Sequence, residues 1–313
     1  MTLFVITGAN GFIGRHLLAS LVADGKRVRA LTRKKSLAEC NLKGVEWIVG
    51  DIADSDTWYA MLEKNCIVIN LAYSNTLAAS TVMDAAAEMI EACTQARIAH
   101  FIHCSTVSVY GRVGETILRE ESVCNPLSDY GKAKLLLEGV VTDGDAGRFP
   151  ITIIRPTVVF GEGGEPLTKL LGELARGQRF VNYLRSSLFG DRKTHLVPVE
   201  TVVAAIRFIG DMPPPATKEI FIVSDDDPIN NFNSVEQVCM NEMKLPPYCI
   251  PRVPFPKLLL EALLIIMRRP TFNTRTVYSS DKLASLGFVN PVTLKSALIR
   301  YVKTYQAQSN SAT

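Results

Sequence analysis

Residues that could transfer a proton and hold an oxygen lie within one stretch of the chain. Tyr130 and Lys134 are four positions apart, so a helix through them would place the phenol and the ammonium on one face. A phenol with a pKa of about 10 is a poor acid–base group at neutral pH, but a nearby ammonium favours the phenolate. Upstream, Ser105 and Thr106 offer hydroxyls that could hold a substrate oxygen. These residue types are typical of proton transfer to or from an oxygen.

A glycine-rich turn near the start of the chain could hold a phosphorylated cofactor. Thr7 leads into a G-x-x-G-x-x-G run between a predicted strand and a predicted helix. Gly8 can make the tight turn, Gly11 lets the backbone approach a pyrophosphate, and Gly14 lets the helix pack closely on the sheet. The free N–H groups of the first helical turn would point at the phosphates. This position favours dinucleotide binding over a simple turn.

The residues after the second predicted strand indicate which dinucleotide would bind. A site that prefers NAD usually carries a carboxylate here to hold the ribose 2′-hydroxyl. This chain has Thr32, Arg33 and Lys34 instead. Arg33 could lie against the adenine and, with Lys34, bind a 2′-phosphate. The sequence therefore predicts NADP, with NAD as the alternative.

The elements that must position these residues alternate along the first half of the chain. The apolar runs that predict strands are 3–7, 28–32, 47–49, 67–71, 100–105 and 151–154, and the predicted helices are 12–23, 81–96 and 130–141. Strands that are apolar throughout are typical of a sheet covered by helices on both faces. The predicted fold class is therefore α/β, with a doubly wound (Rossmann) parallel sheet.

The second half of the chain is less regular and predicts a smaller, mixed C-terminal lobe. Loops rich in proline and glycine interrupt it, whereas 219–224 predicts a strand that returns to the first sheet. The predicted units are a dinucleotide-binding domain of 1–157 plus about 194–224, a substrate lobe of 158–193 and 225–303, and a flexible tail of 304–313.

Composition excludes several classes of protein. A net charge of +3 over 313 residues is too small for the basic surface of a nucleic-acid-binding protein. The seven cysteines are scattered without zinc-ligand spacing, so we expect free thiols, no metal site and a reducing cytoplasm. We expect no signal peptide. The apolar run 258–267 is about half the ~20 residues of a membrane span, so a lobe-capping helix is favoured over a membrane-interface contact.

Further motifs join these features into a family pattern. Besides the glycine turn and 130–134, they are 50–52, 70–72, 105–111, 154–161, 194–199 and 286–288. The combination resembles the extended short-chain dehydrogenases/reductases of the NAD(P)-dependent nucleotide-sugar epimerase/dehydratase type. The resemblance covers roughly residues 2–303 and implies the same α/β fold with a substrate lobe.

The resemblance also implies a role for each matching residue. Tyr130 would be the acid–base residue, Lys134 would bind the nicotinamide ribose and tune the phenol, and Thr106 would orient the sugar oxygen. Ser105 is the alternative to Thr106, and Arg192 or Lys193 would contact the substrate diphosphate. The cofactor would be held by Gly8, Asn10, Gly11, Phe12, Ile13, Gly14, Arg33, Lys34, Asp51, Ile52, Leu71, Ala72, Tyr73, Tyr130, Lys134 and Pro156.

Departures from the family pattern narrow the predicted reaction. Dehydratases of the family carry an acidic pair directly after the catalytic threonine, whereas Val107 and Ser108 follow here, so dehydration is disfavoured. The asparagine that the family often has on the helix after the fourth strand is not evident in 81–91. His195 could bind a diphosphate, but in a strand-like run it is interpreted as a structural histidine.

The predicted function is that of an NADP(H)-dependent oxidoreductase acting on a nucleotide-diphosphate sugar, as a 4-keto-sugar reductase. The basic pair Arg33-Lys34 favours this reaction, because epimerases of the family usually retain NAD. A 4-epimerase with tightly bound NAD is the first alternative. Others are a 3β-hydroxysteroid or flavonoid-type reductase and a non-catalytic NADP-binding sensor on the same fold. The family also implies a homodimer, and we expect neither nucleic acid nor an integral membrane segment.

Overall fold

A seven-stranded parallel sheet is the centre of the fold. The computed structural model describes residues 2–34, 44–73, 79–111, 114–145, 147–250 and 276–311. The strands of the sheet are β1 (Leu3–Thr7), β2 (Arg27–Thr32), β3 (Val45–Val49), β4 (Ile67–Asn70), β5 (His100–Cys104), β7 (Ile151–Pro156) and β10 (Glu219–Val223). Their spatial order is β3-β2-β1-β4-β5-β7-β10, so the predicted return of the 219–224 segment to the first sheet is confirmed.

Four shorter strands form two parallel pairs outside this sheet. They are β6 (Ile117–Leu118), which pairs with β11 (Val277–Tyr278), and β8 (Val158–Phe160), which pairs with β9 (Leu196–Pro198). The helices are α1 (Phe12–Ala23), α2 (Ser55–Met61), α3 (Ala79–Ala96), α4 (Asp129–Asp145), α5 (Thr168–Ala175), α6 (Arg179–Phe189), α7 (Val199–Asp211), α8 (Phe232–Glu242), α9 (Asp281–Ser285) and α10 (Leu294–Ser311).

Helices cover both faces of the central sheet, as the apolar strands predict. In β1, Phe4 and Ile6 point to one face and pack in a core shared with α1 and α7. Leu3 and Val5 point to the other face, in a core shared with α2, α3 and α4. Since successive side chains of a strand alternate between faces, burial on both sides requires apolar residues at every position. The predicted doubly wound α/β class is therefore confirmed.

The strand order reverses its direction next to β1. From β1 the chain continues to β2 and β3 on one side, whereas β4 and β5 lie on the other side. The connections after β1 and β4 leave the sheet on opposite sides, so a crevice opens between the carboxyl ends of these two strands. Open α/β sheets bind ligands in such a crevice. The glycine turn follows β1, and Leu71 and Ala72 follow β4, so both border this crevice.

A third apolar core lies in the second half of the chain. Helices α5, α8 and α10 contribute buried residues to it, among them Leu171, Val235 and Leu298. Within the predicted flexible tail at 304–313, α10 continues as far as Ser311. Tyr301 and Val302 are buried in this core and Tyr305 packs against it, which anchors the helix that the polar tail extends.

Two expectations concern features that the described residues contain only in part. No helix among them is long and apolar enough to cross a lipid bilayer. The run 258–267 lies outside the described residues, as does Cys40. Six free cysteines are found among the residues that are described. In the same part of the chain, no group of three or more His, Cys, Asp or Glu residues is arranged to hold a metal.

Candidate functional site

The glycine turn is packed so closely that side chains would not fit in it. Gly8 has a φ of +68°, and a Cβ there would lie 2.8 Å from the backbone N of Ala72. A Cβ on Gly14 would lie 2.1 Å from the backbone O of Gly8. Helix α1 begins at Phe12, directly after Gly11. The turn therefore brings the N-terminus of α1, with its unpaired backbone N–H groups, to the edge of the sheet.

A cavity of about 350 Å³ opens beside this turn. Its lining, here called the glycine-turn cavity, consists of Gly8, Asn10, Gly11, Leu31, Thr32, Arg33, Gly50, Asp51, Ile52, Leu71, Ala72 and Tyr73. Nine of these residues belong to the predicted cofactor set, and Leu31, Thr32 and Gly50 do not. The predicted residues Phe12, Ile13, Gly14, Lys34, Tyr130, Lys134 and Pro156 are not part of this lining. A glycine turn with a helix N-terminus beside a cavity fits the binding of a dinucleotide.

Hydrogen bonds tie the end of β2 to the glycine turn. The Thr32 hydroxyl accepts from Asn10 Nδ2 at 2.9 Å and from the backbone N of Lys34 at 3.0 Å. Arg33 lies between these contacts, is exposed to solvent and lines the glycine-turn cavity. Thr32 thus holds in place the backbone that positions Arg33 at the cavity.

A series of buried polar side chains links the strands that border the crevice. Thr7 donates to Asn70 Oδ1 at 2.6 Å, and Asn70 Nδ2 lies 3.2 Å from His103 Nδ1. The Thr7 hydroxyl also accepts from the backbone N of Ala72 at 3.3 Å. These contacts link the ends of β1, β4 and β5, which explains why a threonine precedes the glycines. Sequence reasoning did not identify this role for Asn70 and His103.

Thr106 and Tyr130 lie close together beyond the carboxyl end of β5. Thr106 follows β5, and its Oγ1 accepts from the backbone N of Ser108 at 3.2 Å, so it caps a short 3-10 turn at Val107–Val109. Tyr130 is the second residue of α4 and remains 42% exposed. Partial burial raises the pKa of the Tyr130 phenol to about 12; Cys104 and Tyr73 add to the rise, and a hydrogen bond with Thr106 opposes it.

Lys134 is buried one turn further along α4. Its Nζ donates to the backbone O of Cys104 at 2.9 Å and lies 4.6 Å from the ring centroid of Tyr73. The Tyr73 ring also packs edge-on against Tyr130, with 5.3 Å between centroids. Burial lowers the pKa of Lys134. The protein's own groups therefore raise the pKa of Tyr130, opposite to the lowering expected from the sequence, and burial of the phenol is the main cause.

A buried ion pair fixes α4 against the sheet. Arg155 on β7 donates to Glu138 on α4 through Nη2 at 2.6 Å and through Nε at 3.1 Å. Both side chains are at least 94% buried, since their exposed fractions are 4% and 6%. The bidentate geometry sets the distance between α4 and β7 and so the position of Tyr130 and Lys134. The 154–161 motif could have indicated Arg155, but nothing in the sequence paired it with Glu138.

A second cavity, of about 410 Å³, opens at Thr106 and is called here the Thr106 cavity. Its apolar lining includes Val107, Val158, Leu167, Leu170, Phe189, Leu196, Phe232 and Val235. Its polar lining includes Thr106, Ser108, Thr157, Arg192, Lys193, Thr194, His195 and Tyr278. Arg192, the predicted substrate residue, thus shares a cavity with Thr106. The sequence did not indicate Thr157 and Tyr278, and it suggested a structural role for His195; these residues come from separate segments that only the fold brings together.

Comparison with known families agrees with this geometry. A model of the family described as "NAD dependent epimerase/dehydratase family" matches residues 4–218. The chain belongs to this family. The matched stretch contains the glycine turn, Thr106, Tyr130 and Lys134, whereas α8 and α10 lie beyond it.

Curated relatives of this family member match over part of their length. One is a 4-hydroxy-2-methyl-3-oxo-4-farnesyl-3,4-dihydroquinoline-1-oxide ketoreductase of Stigmatella aurantiaca, 27% identical over 186 residues, which are 56% of this chain and 55% of the relative. Another is a dTDP-6-deoxy-L-talose 4-dehydrogenase (NAD(P)(+)) of Kitasatospora kifunensis, 32% identical over 189 residues, or 54% and 56% of the two chains. The chain therefore spans about half the length of the curated relatives it matches.

Solved structures of similar proteins share the fold over nearly the whole chain. A dTDP-glucose 4,6-dehydratase of Bacillus anthracis, in complex with NAD, has a TM-score of 0.75 at 15% identity and covers 99% of this chain and 98% of its own. A UDP-glucose 4-epimerase of Thermotoga maritima, with UDP-glucose, has a TM-score of 0.71 at 19% identity, with 99% and 100% covered. At these identities the likeness establishes the fold alone.

Proposed function

We propose that this family member is an NADP(H)-dependent reductase of the 4-keto group of a nucleotide-diphosphate sugar. The observation that carries the proposal is the charge of the Thr106 cavity. Arg192 and Lys193 line it, and no carboxylate occurs among the described residues of its lining. Two cations without a carboxylate favour an anionic substrate such as a nucleoside diphosphate derivative.

The same lining argues against dehydration as the net reaction. Removal of water from a sugar needs an acid and a base next to the reacting carbons. Val107 and Ser108 follow Thr106, and the described residues of the cavity supply Arg192, Lys193 and His195 as their ionisable groups besides Tyr278. Reduction needs a single proton transfer, for which Tyr130 is sufficient.

In this mechanism the protein's own residues bind the oxygen and move one proton. Thr106 would donate a hydrogen bond to the sugar oxygen at C4, and Tyr130 would transfer its phenolic proton to that oxygen. The pKa of Tyr130, raised to about 12, keeps the phenol protonated at neutral pH and so ready to act as the acid in reduction. Lys134, whose Nζ donates to the Cys104 carbonyl, would keep a positive charge near the phenol.

The glycine-turn cavity would hold the cofactor. Gly8, Gly11 and the N-terminus of α1 would bind the pyrophosphate, and Asp51 and Ile52 would flank the adenine. Arg33 would bind the 2′-phosphate of NADP, since the end of β2 carries no carboxylate. A bound nicotinamide cofactor supplies the hydride. We also propose that 158–193 and 225–303 form the substrate lobe that borders the Thr106 cavity.

The relative from Kitasatospora kifunensis supports oxidoreduction at C4 of a sugar nucleotide, because its name describes that reaction with NAD(P)+. A second candidate function is reduction of an apolar aromatic ketone. The observation that favours it is the run of apolar side chains in the Thr106 cavity, among them Val158, Leu170 and Phe232. The quinoline ketoreductase of Stigmatella aurantiaca and a putative dihydroflavonol 4-reductase of Synechocystis, 30% identical over 181 residues, carry names of this kind.

One assay separates these functions. The protein is incubated with NADPH or NADH and a panel of UDP- and dTDP-linked 4-keto sugars, with a dihydroflavonol as the apolar ketone, while cofactor absorbance and products are followed together. We expect NADPH oxidation with the 4-keto sugars, and Tyr130→Phe should abolish turnover while NADPH binding survives. Turnover of the dihydroflavonol alone would favour the second candidate. Turnover unchanged in Tyr130→Phe would contradict the mechanism.

A further inference from the structure

His195 lies on the wall of the Thr106 cavity in a conformation that few histidines adopt. Its φ is +52°, in the left-handed region that favours glycine. A side chain other than glycine stays in this region only where its surroundings impose it, and such residues cluster at functional sites. The conformation distinguishes His195 from an ordinary residue of a strand, the role that the sequence suggests.

The neighbours of His195 show what imposes this backbone. The buried side chain of Asn230 accepts through Oδ1 from the hydroxyl of Thr194 at 2.7 Å and from the backbone N of Leu196 at 2.9 Å. Its Nδ2 donates to the Leu196 carbonyl at 2.7 Å. The backbone O of His195 itself accepts from Val158 N at 2.8 Å. The chain is thus fastened before, at and after His195.

The imidazole is held by packing, whereas no other described side chain uses its hydrogen-bonding nitrogens. It packs edge-on against Tyr278, with 5.0 Å between ring centroids, and makes no side-chain hydrogen bond to another described residue. Burial lowers the pKa of His195 to about 4, with Arg192 and Lys193 adding to the effect. The ring is therefore neutral at physiological pH and offers the cavity one N–H donor and one nitrogen acceptor.

His195 lines the same cavity as Thr106, the residue proposed to bind the reacting oxygen of the substrate. Thr106 follows β5, and the backbone N of the adjacent Ser105 donates to the carbonyl of Ile154 on β7 at 2.8 Å. Val158, two residues beyond β7, is bonded to His195 as described above. One continuous wall therefore runs from Thr106 through Val158 to His195. Arg192 and Lys193 already supply the charges that a diphosphate needs, whereas a neutral ring suits an uncharged oxygen.

We propose that His195 binds an uncharged oxygen of the substrate's sugar, a hydroxyl or a carbonyl, and so helps to select the sugar. The proposal rests on the proposed function and adds a residue that recognises the sugar. A residue kept in a strained backbone for binding has a testable signature: its removal weakens substrate binding without weakening the fold. A structural histidine would show the opposite pattern, since its removal takes away packing against Tyr278.

The test compares His195→Gly with Lys244→Gly. Lys244 is an exposed residue with a φ of +56° that does not line the Thr106 cavity, so its replacement relieves the same kind of strain away from the site. Both variants should melt at or above the wild-type temperature. For the 4-keto sugar that the wild type reduces fastest, His195→Gly should raise KM about tenfold with kcat within about twofold, as expected for one uniformly bound hydrogen bond. Lys244→Gly should leave both constants unchanged.

Calorimetric titration supplies a readout that needs no turnover. The affinity of His195→Gly for UDP should equal that of the wild type, whereas its affinity for UDP-glucose should fall about tenfold. His195→Asn, which tolerates the same backbone and keeps a donor and an acceptor, should lose less. A lower melting temperature with an unchanged KM, or an equal loss for UDP and UDP-glucose, would overturn the proposal. A wild type that reduces no sugar of the panel would refute the proposed function, and a sugar role for His195 with it.

Discussion

Replacing Gly14 by alanine should destabilise the protein, although the same change inside a helix usually stabilises. Gly14 is the third residue of α1, where alanine would gain about 1 kcal/mol of helix propensity over glycine. A Cβ there, however, would lie 2.1 Å from Gly8 O and 2.8 Å from Ala9 Cα, both backbone atoms. Overpacking costs about 1–3 kcal/mol, and the upper end applies because backbone cannot rotate away. The expected net loss is about 2 kcal/mol.

Gly139 is the matched control. It lies in the middle of α4, and a Cβ on it would meet nothing within 4 Å. Gly139→Ala should therefore raise the free energy of unfolding by up to about 1 kcal/mol. Urea titrations of both variants measure these values, and fluorescence titration with NADPH measures cofactor affinity, which should fall in Gly14→Ala because Gly8 must shift. If both variants were stabilised equally and bound NADPH as the wild type does, the close packing of the glycine turn would be refuted.

Further predictions concern the ion pair, the cofactor and acid stability. Glu138→Gln should lower the free energy of unfolding by about 3–5 kcal/mol in urea titrations, because it leaves Arg155 buried without its charged partner. Glu63→Gln, in an exposed pair, should lower it by about 0–1 kcal/mol. Equal losses in the two variants would contradict this prediction. Arg33→Ala should raise the KM for NADPH about tenfold and leave that for NADH unchanged, and a parallel change in both would contradict a 2′-phosphate contact. Burial lowers the pKa of His100 from 6.5 to about 4, so between these values the unfolded chain binds more protons and stability should fall as the pH falls. The urea midpoint should follow this slope, and His100→Gln should reduce it, with His195 contributing the same trend; an unchanged slope would exclude a contribution from His100.

The sequence was sufficient for the central sheet because local signals and tertiary burial agree there. Apolar strands and an amphipathic α1 predicted the elements, and the bounds of α1, Phe12–Ala23, agree with the prediction. The helical conformation of the chain up to Ser311 was not evident from the sequence, because a polar helix end is indistinguishable from coil until the packing of Tyr301 and Val302 is known. Tertiary contacts decide such cases.

The candidate site was predictable only where its residues form local motifs. The glycine turn and the Tyr130–Lys134 pair each lie within a few residues of sequence. Glu138 pairs with Arg155 across 17 positions, and His195 meets Thr106 in one cavity only through the fold. The pKa of Tyr130 also depends on burial, which a pattern of residue types does not contain.

The most direct test of the proposed function follows hydride rather than absorbance. NADPH deuterated at nicotinamide C4, on the face from which transfer occurs, is supplied with the preferred nucleotide 4-keto sugar, and the product is analysed by mass spectrometry. A reductase predicts one deuterium at sugar C4 for each NADPH oxidised. Absence of both deuterium in the sugar and net oxidation of NADPH, together with C4 epimerisation of a 4-hydroxy nucleotide sugar in a parallel incubation without added NADPH, would contradict the account.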